Sequence, residues 1–153
     1  MTTTPAPTIR PAVPGDEHAL FELIRALARY ERLERSVTGD AGALGRHLFG
    51  PRPAAEALLA EEGATAVGFA LFFPTYSTFL CRPGLYLEDL FVLESHRRRG
   101  IGRALLTEVK RIADARGAGR LEWSVLDWNR DAIAFYERFG ATVLSDWRIC
   151  RVS

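Results

Sequence analysis

Cysteine is scarce: only Cys81 and Cys150 are present, far apart in the chain and forming no Cys-x-x-Cys pair. Neither a disulfide framework nor a zinc knuckle is indicated, and a reducing cytoplasm is the expected compartment. Long apolar runs are also missing, because even Ala64 to Phe73 stops at Pro74, well short of the roughly 18 residues of a membrane span. No membrane partner is expected. The N-terminal Met-Thr-Thr-Thr-Pro-Ala-Pro-Thr stretch lacks the basic and apolar regions of a secretory signal and reads as a disordered leader over residues 1–7. The three histidines, His18, His47 and His96, have no metal-ligand spacing, so no metal is expected, and His96 beside Arg97 reads as a turn residue. Charge of one sign does not dominate either: 20 basic and 19 acidic residues leave a net charge of +1. There is no general pull toward nucleic acid or an anionic surface, and electrostatic recognition must be local.

What the chain does have is core-forming material. Its 153 residues are 48% hydrophobic, enough for one compact domain, expected over 8–153. From Asp16, an available N-cap, Leu20, Leu23, Ile24 and Leu27 recur at helical spacing. Gly39 to Gly50 reads as a second, weaker helix. Ala57 to Ala60 and Thr65 to Phe73 flank Glu61-Glu62-Gly63 and read as a hairpin. Leu85 to Leu93 reads as a central strand that carries two carboxylates, Glu88 and Asp89. Leu105, Val109 and Ile112 predict a helix from about Gly102 to Gly117 or Gly119, followed by a strand over Leu121 to Leu126. A short helix over Asp131 to Phe139, closed by Gly140, precedes a last strand that includes Trp147 to Val152. The class is α+β, a mixed sheet with helices on its faces.

The sharpest local signal is Arg97-Arg98-Arg99-Gly100-Ile101-Gly102-Arg103, lying between an apolar strand and an amphipathic helix. Two glycines let backbone approach a ligand, and the first free N–H groups of the helix point outward at the positive end of its dipole. Such a turn suits a pyrophosphate, with the arginines available to further phosphate oxygens; a solvated basic turn is the plainer alternative. A Walker loop is excluded for want of Gly-Lys-Ser/Thr, and a dinucleotide fingerprint because Leu105 stands where its third glycine would be. No aromatic platform adjoins the basic run, so no nucleic-acid partner is expected.

Tyr86-Leu87-Glu88-Asp89-Leu90-Phe91-Val92, the Arg-x-x-Gly-x-Gly turn, and Trp128-Asn129 through Phe135-Tyr136-Glu137-Arg138-Phe139-Gly140-Ala141 together resemble the GNAT acetyltransferases. Within that superfamily they are most similar to the diamine (spermidine/spermine) and thialysine acetyltransferase branch. The likeness reaches upstream to Ile9-Arg10-Pro11-Ala12 and Leu27-Ala28-Arg29-Tyr30-Glu31, and so covers most of the chain. It implies a mixed, mostly antiparallel central sheet flanked by helices, acetyl-CoA as acetyl donor, a small-molecule amine as acceptor, and a homodimer.

A primary amine with a pKa of about 10.4 is only about 0.04% neutral at pH 7, so presenting the free base costs roughly 4 to 5 kcal/mol unless a group removes the proton. The resemblance gives that work to Glu88, directly or through water; a structural carboxylate at a strand kink is the alternative, and the same choice is open for Asp89. At the far end of the reaction a thiolate leaves, and a phenol can protonate it. Tyr136 matches the family's general acid, although a tyrosine in Phe-Tyr-x-x-Phe-Gly also suits core packing. Backbone N–H groups of Leu90, Phe91 and Val92 are similar to those that hold the cofactor's pantetheine arm and polarise the thioester carbonyl. Asn129, with Asp131 and Ala132, resembles the helix start that holds the cofactor's amide arm, with a plain N-cap as alternative. Tyr30, Glu31 and Trp128 match the lining of the amine pocket, whose acids and aromatics suit an alkylammonium; Tyr30-Glu31 also reads as an exposed helix end.

The chain departs from the diamine pattern in three places. It stops at Ser153, soon after Trp147 to Val152; only Ser145-Asp146 stands where an acidic segment is expected; and its near-neutral charge does not favour a long polycation. The alternatives are a protein or antibiotic amine as acceptor, and an acetyl-CoA-binding sensor without turnover.

Overall fold

The computed structural model describes residues 3 and 5–153. Of the expected leader, residues 1, 2 and 4 lie outside the described residues, and residues 3 and 5–7 are exposed and in neither helix nor strand. The chain divides into two compact units, the first ending at Trp123 and the second running Ser124–Ser153.

The first unit is a five-stranded sheet in the order β1 (Thr8–Pro11), β2 (Glu56–Glu62), β3 (Thr65–Ser77), β4 (Arg82–Val92), β5 (Leu121–Trp123). Every pair is antiparallel except β4 with β5, which is parallel. The β2–β3 turn is tight because Gly63 takes φ +64°. Ala57, Leu58, Leu59 and Ala60 are all buried, as are Val67, Phe69, Ala70 and Phe72; adjacent buried residues on one strand mean that both faces of the sheet are covered.

Helix α1 (Glu17–Glu31) buries Leu20, Phe21 and Leu23 on one stripe. Leu20 and Leu23 form a core cluster with Leu48, Leu59, Phe69 and Phe91. Losing one buried phenylalanine from such a cluster costs about 3–5 kcal/mol. The helix stops where Arg32 turns left-handed (φ 60°) and the Leu33 N–H donates to Ala28 O at 2.8 Å, the arrangement that satisfies orphan carbonyls at a helix end. Asp16 is not the side-chain cap expected of it. Its carboxylate instead accepts from Val13 N (2.7 Å) and from both terminal nitrogens of Arg10 (2.7 and 3.0 Å), because a bidentate guanidinium on β1 outcompetes a helix N–H. Those bonds hold Asp16 below the usual carboxylate range. Arg10 Nε also donates to Glu61, joining β1, β2 and the start of α1. The weaker second helix is real: α2 (Ala41–Phe49) is capped by Asp40, whose Oδ1 accepts from Ala43 N at 2.7 Å.

Helix α3 (Ile101–Ala115) buries Ile101, Leu105, Leu106, Val109 and Ala113. It packs closely at Gly68, where a Cβ would stand 2.8 Å from Phe91 O and 3.4 Å from Leu105 Cδ1. A residue larger than glycine there would crowd the Phe91 carbonyl of β4, the strand that carries the site.

The second unit holds one helix, α4 (Arg130–Phe139), ended by Gly140 at φ +108°. Two strand expectations fail at this end of the chain. β5 is three residues long rather than six, and the last strand does not form: the described residues after Phe139 are in neither helix nor strand. Trp147 and Ile149 are 76% and 73% exposed. Arg148 and Arg151 put a charge on each face of that stretch, and a strand exists only where a neighbour pairs its backbone groups.

Candidate active site

The site begins with an irregularity in β4. Leu71 pairs with Asp89 while the next residue of β3, Phe72, pairs with Leu87, so Glu88 has no residue opposite it. This one-residue bulge is the physical account of two adjacent carboxylates in an apolar strand. Leu87 and Phe91 stay buried, Glu88 is exposed, and Asp89 is half-buried. The parallel partner ends at the same level, since β5 pairs only Leu85, Tyr86 and Leu87. Beyond the bulge, β4 pairs with β3 on one side and, among the described residues, with no strand on the other. Leu90, Phe91 and Val92 lie on this one-sided stretch.

Three carboxylates influence one another there. Burial first, then the charges of Glu88 and Glu31, push the Asp89 carboxyl up to about 7. Burial also raises Glu31, at the end of α1. Among the described residues no group of His, Cys, Asp and Glu is arranged to hold a metal ion. A cluster of mutually repelling carboxylates is relieved by an organic cation, and an alkylammonium fits that requirement.

Beyond Val92, a single 3-10 turn at Glu94–His96 leads into the arginine run. Arg98 takes a left-handed φ of 62° and Gly100 one of 80°. Nothing lies within 4 Å of the position a Cβ would take on Gly100, so open space lies beside the first free N–H groups of α3. No side chain caps them. Backbone donors at a helix start with open room beside them fit a pyrophosphate.

The four arginines are not equivalent. Arg99 reaches Glu62 at 3.1 Å, and His96 stands 3.6 Å from the same carboxylate. Arg97 points back into the protein: its Nε donates to Val92 O at 3.0 Å and its guanidinium lies over the Tyr30 ring at 4.3 Å. Arg98 and Arg103 are exposed. Beside them an open groove of about 500 Å³ is lined by Ile9, Gly100, Arg103, Ala104, Thr107 and Glu108. Thr107 and Glu108 were not marked by any motif, yet they share the helix face that Gly100 and Arg103 begin, a spacing the sequence does contain.

In the second unit, Asn129 Oδ1 accepts from Ala132 N at 3.2 Å and caps α4, so the plainer reading of Asn129 holds for that oxygen. Asp131 is exposed in the first turn, Trp128 is 51% exposed, and Tyr136 is half-buried, its ring 5.5 Å from that of Phe135. The structure thus gathers Tyr30, Glu31, Glu88, Asp89 and the 97–103 turn in the first unit, and Trp128, Asn129, Asp131, Ala132 and Tyr136 in the second.

A mixed sheet whose fourth strand carries a bulge and then leads into a phosphate-type turn is the frame of the site, and the match to known acyltransferases gives its class. Residues 20–141 match the acetyltransferase (GNAT) family, and the chain belongs to that family: it is an N-acetyltransferase. Over 146 residues it is 36% identical to a thialysine N-epsilon-acetyltransferase of Bos taurus, with 90% of this chain and 85% of that protein covered. It is 52% identical over 86 residues to an L-ornithine N5-acetyltransferase of Arabidopsis thaliana, covering 56% of this chain and 38% of that one. Among solved structures, an integron cassette protein of V. cholerae superposes with a TM-score of 0.80 at 24% identity, over 96% of this chain and 92% of that one, a likeness of fold.

Proposed function

We propose that the protein transfers acetyl from acetyl-CoA to a primary amine of a small molecule, a diamine, a polyamine or a lysine-like amino acid, by direct transfer. The observation that carries this reading is the cluster of Glu31, Glu88 and Asp89 at the β4 bulge, where burial first, and then the charges of its two neighbours, raise Asp89 to about 7. The similarity to enzymes named for thialysine and ornithine supports the same acceptor class.

In this reading the backbone of Gly100 to Arg103, with Arg98, Arg99 and Arg103 of the turn, binds the pyrophosphate, and the backbone N–H groups of Leu90 to Val92 hold the pantetheine arm. When bound, acetyl-CoA supplies an activated thioester. Glu31, Asp89, Tyr30 and Trp128 receive the alkylammonium, and Glu88 accepts its proton, through water or directly. The Tyr136 hydroxyl donates a proton to the departing thiolate. Asn129, Asp131 and Ala132 form the helix start that meets the cofactor's amide arm. The reading includes a homodimer in the cytoplasm, where the exposed thiols Cys81 and Cys150 stay reduced.

The test is thiol release from acetyl-CoA with putrescine, spermidine, thialysine, ornithine, lysine, an aminoglycoside and a lysine peptide, against a no-amine blank. Selective release with one small amine establishes the reading. Release with the aminoglycoside or the peptide alone moves the acceptor to antibiotics or proteins. Silence throughout, with acetyl-CoA binding seen by calorimetry, turns the reading into that of a sensor.

A further inference from the structure

Arg97 opens the arginine-glycine turn, yet its side chain turns back onto the first unit. Its Nε donates to Val92 O at 3.0 Å, and its guanidinium carbon lies 4.3 Å from the centre of the Tyr30 ring and 5.5 Å from that of Phe91. The two rings are themselves 6.4 Å apart and tilted at 44°. One planar cation therefore fastens the last turn of α1, which carries Tyr30 and Glu31, to the stretch of β4 that follows Asp89. We infer that Arg97 is a positioning residue for the acceptor amine: its side chain sets where Tyr30 and Glu31 stand relative to Asp89, instead of pairing with phosphate. The inference rests on the amine-acetyltransferase reading above.

The end of α1 is where such a brace acts. The helix terminates at Glu31, the chain turns left-handed at Arg32, and Tyr30 is 36% exposed, so this ring lies at the edge of the core. The charge of Glu31 adds to the upward shift of the Asp89 carboxyl, so the end of α1 and β4 carry like charges that repel. A guanidinium 4.3 Å from the centre of one ring and 5.5 Å from that of the other opposes that repulsion with cation–π contact and with a charge-assisted bond to the Val92 carbonyl. Its planarity matters. A lysine keeps the charge but neither stacks nor reaches the carbonyl through Nε.

The two possible tasks of Arg97 separate on substitution. A phosphate partner tolerates lysine, which binds phosphate as a point charge, whereas a planar brace does not. Arg97→Lys and Arg97→Gln are therefore both expected to raise the KM for the amine about five- to tenfold, the effect of one cation–π contact, with the KM for acetyl-CoA changed less than about twofold. Tyr30→Leu should raise the amine KM at least as much, and adding Arg97→Gln to Tyr30→Leu should raise it no further, as for two residues in one interaction. Cooperative melting of each variant checks the fold. A measurement free of turnover accompanies these: in Tyr30→Leu the Asp89 carboxyl, followed by carbon NMR, should titrate lower than in the parent as the repelling Glu31 moves away. The inference is overturned if Arg97→Lys behaves as wild type while Arg97→Gln raises the acetyl-CoA KM, or if Tyr30→Leu and Arg97→Gln are additive. Absence of turnover in the parent with every amine overturns the functional reading instead, and the Asp89 titration then still decides whether Tyr30 holds Glu31 in place.

Discussion

The carboxylates of Glu31 and Asp89, one ending α1 and the other just past the bulge of β4, repel each other, and the repulsion falls on Asp89. Burial and the charges of Glu88 and Glu31 hold its carboxyl at about 7. In the unfolded chain the same group titrates at about 3.9. Between those two values the folded state binds more protons than the unfolded one, so this group's contribution to stability is complete below about pH 4 and is lost as the pH rises through about 7. Asp89→Asn removes that loss. The variant should match the parent below pH 4 and exceed it at pH 8 by roughly 2 kcal/mol, after a discount for partial exposure. Urea melts at the two pH values measure this, and equal stability at pH 8 contradicts the assignment.

The arginine-glycine turn allows ligand binding and stability to be pulled in opposite directions. Gly102 lies in the first turn of α3, which has no acidic residue. A carboxylate there favours the helix dipole by about 0.3–1 kcal/mol but repels a phosphate on the same N–H groups. Gly102→Asp should weaken acetyl-CoA binding by at least about tenfold, close to 1.4 kcal/mol, with a melting temperature no lower than an alanine control's. Calorimetric titration beside a thermal melt checks both. Unchanged affinity moves the pyrophosphate elsewhere.

Much of this was legible in the sequence because it depends on short-range chemistry. The stripe Leu20, Leu23, the helical stretch between Gly39 and Gly50, and the glycines at 63, 100 and 140 are local signals, and each produced the element it implied. The carboxylates of β4 drew attention because they interrupt an apolar run, but the cause, a bulge with Glu88 unopposed, depends on pairing with β3 and is invisible in β4 alone. Asp16 failed as a cap for a similar reason. Its competitor Arg10 is on another element, and only folding brings the guanidinium within 2.7 Å. The stretch Trp147 to Val152 read as a strand on composition, yet a strand is a relationship with a neighbour. Arg97 looked like its three companions until the fold placed Tyr30 beneath it.

Glu88 is exposed at the bulge, where water reaches it, and its proposed work is to take a proton from the bound ammonium. The fraction of amine already neutral falls tenfold for each unit of pH below the amine's pKa. Glu88→Gln should therefore reduce kcat/KM most at low pH and least near pH 10, on the order of 100-fold at pH 7. A pH profile parallel to that of the parent contradicts a base role and leaves Glu88 a binding residue.

Tyr136 separates binding from chemistry most cleanly. It sits in α4 with its ring against Phe135, and the helix ends one turn later at Gly140. Tyr136→Phe retains the ring and removes one hydroxyl, so packing and acetyl-CoA affinity should stay within about twofold of the parent's. Without a proton donor the leaving thiolate must depart charged or take its proton from water, and positioned acids of this type contribute on the order of 100- to 10,000-fold. A fall in kcat of that size, with the acetyl-CoA KM unchanged, is the expected result, measured by steady-state thiol release on the best amine of the panel. If the phenylalanine variant turns over at the parent's rate, the hydroxyl is a packing group and the proton comes from elsewhere. If kcat holds and the acetyl-CoA KM rises instead, Tyr136 binds the cofactor without acting as its acid.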